Sequence, residues 1–284
     1  MRRVLLFGLG LIVIAAGLLA AGRREQETRR IATEGAQKIE TELEFGVGEL
    51  RVLSDDIAEA AVVDLNYDPR RVEYDIDYQV KDETGHLYVE SSTRRRSNMD
   101  SDDNRLDLTL STRYPARLTM DIGACEAEID FGGVPLEFLD IDVGAASGEI
   151  TFSSPNPRRL SEIQIDAGAS SLEMHTIGNA NFEQMTFQGG AGSFDLDFRG
   201  DYNGESRIDI DVGLGSADII LPLGVPVRIE SSGSDWFSSV DFHGEDLDEV
   251  DDGVYESPDF EKAESRIVLT LDVGMGSVDL YWKR

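Results

Sequence analysis

Residues 211–221 read DVGLGSADIIL, and residues 272–282 read DVGMGSVDLYW. Both stretches alternate apolar and polar residues, as a half-buried β-strand does, yet both carry glycine near the centre. Glycine inside a strand marks a bulge, a tight bend or the close approach of another backbone. The repeated stretch therefore predicts strands that bend at a glycine and recur along the chain.

The same pattern recurs from residue 118 onward around six glycines, Gly123, Gly144, Gly168, Gly190, Gly213 and Gly274. The positions one, three and five before each glycine, and six and eight after it, are apolar with few exceptions. Successive glycines up to Gly213 are 21 to 24 residues apart, a period typical of stacked-repeat proteins. Because each repeat alternates with a period of two, the sequence predicts a β-solenoid.

The sequence around the clear repeats extends this organisation. Residues 229–242 fit the same template with Ser234 in the place of the glycine, so we expect about seven coils over residues 118–284. Residues 45–52 resemble a copy that is two residues shorter. Residues 243–262 are rich in acids and are predicted to form an exposed loop insertion.

The region before the solenoid also alternates with a period of two. Residues 72–80 and 86–93 flank a short polar turn and predict a β-hairpin, and residues 105–111 predict a further strand. We therefore expect a small antiparallel β domain over residues 41–117, preceded by a polar tether over residues 25–40. The complete prediction is an all-β protein.

The first 24 residues are predicted to form a hydrophobic helix that serves as a transmembrane anchor or a signal segment. Residues 4–22 are nineteen uncharged, mostly apolar residues, close to the minimum length of a spanning helix. Arginines flank both ends, so charge barely decides the orientation. We expect a single-pass cell-membrane protein with its body outside the cytoplasm. The alternatives are export after cleavage of the signal and a body inside the cytoplasm.

The formal net charge of −30 narrows the range of partners. Nucleic acids are bound through Lys and Arg contacts to phosphates, so we expect no nucleic-acid partner. Cations and basic proteins are the natural counterparts of such a surface. The single cysteine, Cys125, excludes an internal disulfide.

An acidic residue follows each of the six glycines five positions later: Glu128, Glu149, Glu173, Asp195, Asp218 and Asp279. These carboxylates face outward by parity, and stacking would place neighbours about 4.8 Å apart. Carboxylates are calcium ligands, so weak calcium binding is one interpretation. We favour a solvated face, because unit charges at this distance repel by only about 0.9 kcal/mol in water.

No metal, cofactor or catalytic residue is predicted. Residues 98–104 have part of the EF-hand spacing, but Arg105 and Ser111 stand where that motif needs Gly and Glu. Serine recurs three positions after five of the glycines, so it is a corner residue rather than the nucleophile of a G-x-S-x-G turn. The three histidines lie in separate regions without zinc-ligand spacing: His86, His175 and His243.

One aromatic pair departs from the repeat. Trp236 and Phe237 are consecutive, so one of the two must face outward if the strand parity holds. Such a side chain could contact a protein or glycan partner, or it could clamp the acidic insertion.

Three features resemble one bacterial family: LEFGVGELRV at residues 43–52, the glycine-centred repeats, and LPLGVPVRIE at residues 221–230. Over about residues 40–284 the chain resembles the toast-rack family of envelope proteins and the C-terminal domains of cell-wall-active antibiotic response proteins. The resemblance implies a β-solenoid after a smaller β domain, and it implies no catalytic residues. Some relatives restrain membrane sensor kinases that respond to envelope damage, although those relatives carry several membrane helices.

We therefore expect a membrane-tethered extracytoplasmic β-solenoid that acts as an interaction or scaffold module in the envelope stress response, with an unidentified protein or envelope partner. One alternative is a surface adhesin or calcium-dependent structural protein, which calcium-dependent melting would favour. The least favoured is a carbohydrate-active enzyme, since clustered acids on a β-solenoid can serve a polysaccharide lyase or hydrolase. Clustered Asp in an open groove would favour that enzyme.

Overall fold

The structure is a computed structural model that describes residues 13–16, 24–94, 104–233, 238–244 and 247–284. Within these ranges the chain is built of β-strands, with two short 3-10 helices at Ile177–Ala180 and Phe260–Lys262. The predicted all-β fold is confirmed.

The first nine strands are β1 (Val13–Ala16), β2 (Glu25–Ile31), β3 (Lys38–Asp55), β4 (Ala61–Tyr67), β5 (Val72–Lys81), β6 (Thr84–Thr93), β7 (Asn104–Ser111), β8 (Ala116–Asp130) and β9 (Leu136–Val143). The other nine are β10 (Ser147–Thr151), β11 (Leu160–His175), β12 (Phe182–Asp197), β13 (Glu205–Pro222), β14 (Val227–Gly233), β15 (Ser238–His243), β16 (Asp248–Asp251), β17 (Val254–Glu256) and β18 (Arg266–Lys283).

The long strands form a parallel stack. β8 pairs with β3 on one side and with β9 and β10 on the other, and β11, β12 and β13 follow in order. Equivalent repeat positions are hydrogen-bonded neighbours, so Ile163 lies beside Met185 and Met174 lies beside Leu196. Phe45 of β3 lies beside Ile122 of β8, which places residues 45–52 in the same repeat. The register therefore follows the repeat that the sequence predicts.

Each long strand turns a corner at its glycine. Ala167 is buried, Gly168 and Ala169 are both exposed, and Ser170 is buried again. Two consecutive outward residues break the alternation of a flat strand, as a bend requires. We call the part of each strand before this corner the first arm and the part after it the second arm.

The strictest demand for glycine lies two positions beyond the predicted corner. Gly215 and Gly276 have φ angles of +146° and +156°, which residues with a side chain rarely adopt. A Cβ atom on Gly276 would overlap the carbonyl oxygen of Gly215 on the neighbouring strand. Gly213 and Gly274, the corners that the repeat predicts, are less crowded. A Cβ atom on them would lie 2.9 Å and 2.7 Å from the nearest backbone oxygen, which is still too close for an ordinary contact.

The two copies of the stretch DVG(L/M)GS lie side by side. β18 pairs with β13 along its whole length, from Glu205 beside Arg266 to Pro222 beside Lys283. β14 and β15 precede β18 in the chain, yet they pair with its opposite edge. The C-terminal strand is therefore inserted between strands that are sequential in the chain, an order that the repeat spacing did not predict.

β14 and β15 also differ from the template in register. Gly233 lies beside Val273, as expected if Ser234 takes the place of the glycine. Val240, however, lies beside Val278 rather than two residues further along β18. The shift of two residues keeps the inward side chains inward, because strand side chains alternate with a period of two.

The core lies between the two arms and the loops that join successive strands. Phe152, Ile165 and Leu172 are buried in it. The described loops that join successive strands are not linked by a β ladder, and side-chain amides bond to their backbone carbonyl groups instead. Asn156, which is buried, donates from Nδ2 to the carbonyl oxygens of Leu136 at 2.9 Å and Ala180 at 3.2 Å.

Two boundaries of the N-terminal region differ from the prediction. The expected tether over residues 25–40 contains β2, which pairs antiparallel with β4, and Arg30 makes an ion pair with Glu59 at 3.0 Å. The expected antiparallel domain over residues 41–117 has mixed pairing, since β3 is parallel to β6 and β7 while β5–β6 and β4–β7 are antiparallel. Parallel pairing joins segments distant in the chain, so no local turn residue indicates it.

The acidic insertion at residues 243–262 is not a plain loop. β16 and β17 form a hairpin there, and β17 continues the sheet of β14. The Tyr255 ring lies 5.0 Å from the ring of Phe242, and Phe260 is buried. All four residues of β16 are exposed, as expected. The segment packs against the stack because it carries apolar side chains among its acids.

Most of the predicted hydrophobic helix lies outside the described residues. Its one described part, Val13–Ala16, is strand β1, which pairs antiparallel with β2. The predicted helix is not confirmed, since these four residues pair with the backbone of β2. In the part of the chain that the structure describes, no helix is long and apolar enough to cross a membrane.

The register can be tested with two neighbouring residues of β13. Ile219 is fully buried beside Leu280, so Ile219→Asp would place an unpaired carboxylate in the core and should cost about 4 kcal/mol or prevent folding. Asp218 is exposed, so Asp218→Ala should change the stability by about 0.5 kcal/mol or less. Urea and thermal melts measure both changes. Equal tolerance of the two substitutions would show that the register is wrong.

Candidate interaction face

The second arm carries an outward row of carboxylates across the stack. The residues that lie opposite one another in this row, which we call the acid column, are Glu128, Glu149, Glu173, Asp195, Asp218, Asp279 and Asp241. Six of them were predicted to form this row. Asp241 was missed, because the two-residue shift of β15 brings it into line instead of Ser239.

A row of hydroxyl groups runs beside the acid column, two residues earlier on the same strands. This serine column comprises Ser147, Ser171, Ser193, Ser216, Ser277 and Ser239. Glu126 of β8 lies opposite Ser147, so the row becomes acidic toward β3. On the six strands that carry these serines, two successive outward positions thus present one hydroxyl and one carboxylate at the spacing of the β ladder.

Histidines lie beside the acid column at two points. His175 Nε2 lies 3.5 Å from Glu149 Oε1 and 3.7 Å from Glu173 Oε2. His243 Nε2 lies 2.8 Å from Asp279 Oδ1, and its ring stacks on Tyr281 with 4.8 Å between centroids. Each histidine would carry a compensating charge once protonated.

The crowding of carboxylates changes the acidity of Asp218. Partial burial raises the pKa of its carboxyl group, and the charges of Asp195 and Asp279 raise it further. A raised pKa in the folded state means that the charged form is disfavoured there. Asp218 therefore supports the fold fully below its unfolded pKa, and this contribution is lost as the pH rises through its folded pKa. Solvent screening keeps the effect small at an exposed position.

The acid column ends in a cation on β3. Arg51 lies opposite Glu128, and its Nη2 is 2.8 Å from Glu128 Oε2. A shallow depression of about 480 Å³ covers this end of the column and reaches to Glu173. The strand next to the column can therefore supply the opposite charge.

The carboxylates of the acid column lie in a row and do not converge on one point. Among the described residues, no group of three or more His, Cys, Asp or Glu side chains could hold a metal ion. A calcium ion needs six to eight oxygen ligands converging on one point, whereas side chains of parallel neighbours point the same way. Except for Asn104, the stretch with partial EF-hand spacing lies outside the described residues.

The outer surface of the first arm holds a larger groove of about 590 Å³ that sequence reasoning missed. One row of opposed residues crosses five strands there: Gln79, His86, Glu40, Arg117 and Phe138. A hydrogen bond from Lys38 lowers the pKa of Glu40, with the charges of His86 and Arg117 adding to the effect. The Arg117 guanidinium lies over the Phe138 ring at 4.3 Å. Alternation alone could not show that these distant residues form one row.

Among the described residues, the remaining sequence candidates lie apart from one another. Cys125 is buried, which raises the pKa of its thiol to about 12 and keeps it protonated at neutral pH. His86 lies in the first-arm groove, whereas His175 and His243 lie beside the acid column. Trp236 and Phe237, the predicted aromatic contact, lie outside the described residues.

The chain matches the sequence models of two protein families. Residues 20–175, more than half of the chain, match the N-terminal domain of toast_rack. The chain belongs to the toast-rack family. Residues 172–280 match the C-terminal domain of the cell wall-active antibiotics response protein LiaF. The two matches meet within β11, so they divide one continuous stack.

Solved structures of similar extent also match this toast-rack protein. A candidate cell adhesion protein from Clostridium sporogenes is 19% identical, with 92% of this chain and 100% of that chain covered and a TM-score of 0.49. A candidate adhesin from Bacteroides fragilis is 13% identical, with coverage of 93% and 100% and a TM-score of 0.34. At these values the matches carry no argument about function. No curated protein sequence matches the chain significantly.

The geometry of the acid column leads to an expectation for calcium. If the column is a solvated face, millimolar Ca²⁺ should raise the melting temperature no more than NaCl of equal ionic strength does, because both only screen the repulsion. Differential scanning calorimetry with Ca²⁺, Mg²⁺ and NaCl measures this. A saturable rise of several degrees with Ca²⁺ alone would demonstrate a specific site.

Proposed function

We propose that this toast-rack protein is a membrane-tethered, extracytoplasmic interaction module of the cell envelope, acting in the response to envelope stress. Its body would be the β-solenoid of about seven coils that the sequence predicts, and its partner a basic protein. The match of residues 172–280 to the LiaF C-terminal domain supports the link to envelope stress.

The observation that carries the proposal is the regular face formed by the acid and serine columns. Seven carboxylates and six hydroxyl groups stand on strands held in one register. Glu149 and Glu173 are each more than half exposed, so their charges are available to a partner. A rigid, single-sign face steers a basic partner and costs that partner little ordering of the surface it meets.

Membrane attachment is assigned to the hydrophobic N-terminal segment. Residues 4–22 are long enough to span a bilayer as a helix. Val13–Ala16 cannot remain paired with β2 while it forms part of such a helix, so attachment requires β1 to leave the sheet.

Two alternatives come from other classes. A surface adhesin or calcium-dependent structural protein would use the same face with cations as ligands. A carbohydrate-active enzyme is less favoured, since the acid column repeats one outward carboxylate on each strand and sets no pair of acids apart from the rest.

Localisation can be tested directly. We expect the protein in the membrane fraction of cells, with its body digested by protease added to intact spheroplasts, because the anchor leaves the body outside. Immunoblotting with an antibody to the body measures both. Digestion only after lysis would reverse the orientation, and a shortened soluble product would show that the segment is a cleaved signal.

The interaction face can be tested by charge reversal in intact membranes. Glu173→Lys with Asp195→Lys should abolish chemical cross-linking to the protein partner, because a basic surface would then meet cations. Asp166→Lys with Asp211→Lys is the matched control, since both residues lie in an outward acidic row of the first arm. Mass spectrometry of the cross-linked species measures the result. Loss of the partner in both variants, or in neither, would contradict an interaction through the acid column.

A further inference from the structure

β15 is the last strand of the second arm. Within the described ranges it pairs with β18 only, from Ser238 beside Gly276 to His243 beside Tyr281. The backbone groups along its other side therefore have no strand partner in the structure as described. A free edge of this kind is a template for the addition of another strand.

The inward side chains of β15 are less covered than their equivalents in the stack. Val278 and Leu280, which lie directly opposite Val240 and Phe242, are fully buried. Val240 and Phe242 themselves are only partly buried, although both pack against the core. Val240 and Phe242 therefore keep some exposed apolar surface, which one more strand would cover.

The acid column also ends at this edge, in Asp241. At its other end the column is closed by Arg51, which the neighbouring strand β3 sets opposite Glu128. Asp241 is exposed on the outward side of β15. A strand added at β15 would place one of its own outward residues opposite Asp241, in the position that Arg51 has at the far end.

We propose that the free edge of β15 binds an extended segment of a basic protein partner, which adds one strand to the stack. The segment has apolar residues at alternate positions, covering Val240 and Phe242, and a Lys or Arg between them, opposite Asp241. This assignment rests on the proposed function as an interaction module, and it specifies where the partner docks and what chemistry it carries.

A second copy of this chain does not suit the edge. A two-fold pairing of β15 with itself would be antiparallel and would bring Asp241 and its copy close together on the same face. Each body also carries the large negative charge of the chain, with a net charge of −30. β16 is the edge strand of the other arm. Three of its four residues are exposed acids, Asp248, Glu249 and Asp251, and these charges discourage another strand from pairing there.

A peptide taken from this chain can serve as the probe. Residues 48–54, GELRVLS, form the strand that sets Arg51 opposite Glu128 on β8, and the peptide is neutral overall. Fluorescence anisotropy with the full-length protein at physiological salt should show saturable binding. Asp241→Lys should weaken it about tenfold or more, and the peptide with Arg51→Glu should bind Asp241→Lys better than it binds the unaltered protein. Asp195→Lys, the same change in the middle of the column, should alter binding by less than about twofold.

Three outcomes would overturn the assignment. Equal weakening by Asp241→Lys and Asp195→Lys would mean that the peptide senses the face and not the edge, and no saturable binding would mean that the edge takes no basic strand. A dimer in sedimentation, abolished by Asp241→Lys, would identify a second copy as the occupant. If the peptide fails to bind while Glu173→Lys with Asp195→Lys still abolishes cross-linking to the partner in membranes, the edge is refuted as the docking site and the proposed function stands. Peptide binding with no cross-linked partner in membranes would refute only that function.

Discussion

At the corners of β12, β13 and β18, a carbonyl oxygen of the neighbouring strand occupies the space that a Cβ atom would need. Gly192, Gly215 and Gly276 repeat this contact along the stack, each against the backbone of the preceding strand. Only glycine permits so close an approach, so β12, β13 and β18 keep this register only while glycine stands at that position. A slip of one residue would turn the core residues outward and bury the acids, which makes the register an all-or-none choice.

The acid column is a direct consequence of that register. Once the corners are aligned, acids five residues later on each strand must stand in a row, whatever their mutual repulsion. Each contact between neighbours costs about 1 kcal/mol at most in water, and the buried apolar side chains of every strand offset more than this. Repulsion between neighbouring acids also distinguishes the two ends of the acid column. Arg51 relieves the row where β3 adjoins it, whereas Asp241 stands at an edge to which no described strand is added.

The insertion of β18 decides what lies at that edge. Because β18 pairs with β13 on one side and with β14 and β15 on the other, the last residues of the chain lie inside the stack. β14 and β15 can complete their pairing only after the C-terminal strand is in place. Such a contact between distant segments is slow to form, since loop closure must precede it. Trp282, buried near Phe242, shows how closely the chain end is packed into the core.

The sequence by itself determined the alternation of buried and exposed side chains in the six clear repeats and the glycine at which each one bends, because a period of two and the position of glycine are local properties. It therefore predicted Ile219 as buried and Asp218 as exposed, and six of the seven acids in the column. Pairing between distant segments has no local mark. Only the tertiary structure decided that β18 lies between β13 and β15, that β2 joins β4, and that Gln79 and Phe138 share one groove. Asp241 came into the acid column for the same reason, since its register depends on the strand beside it and not on its own sequence.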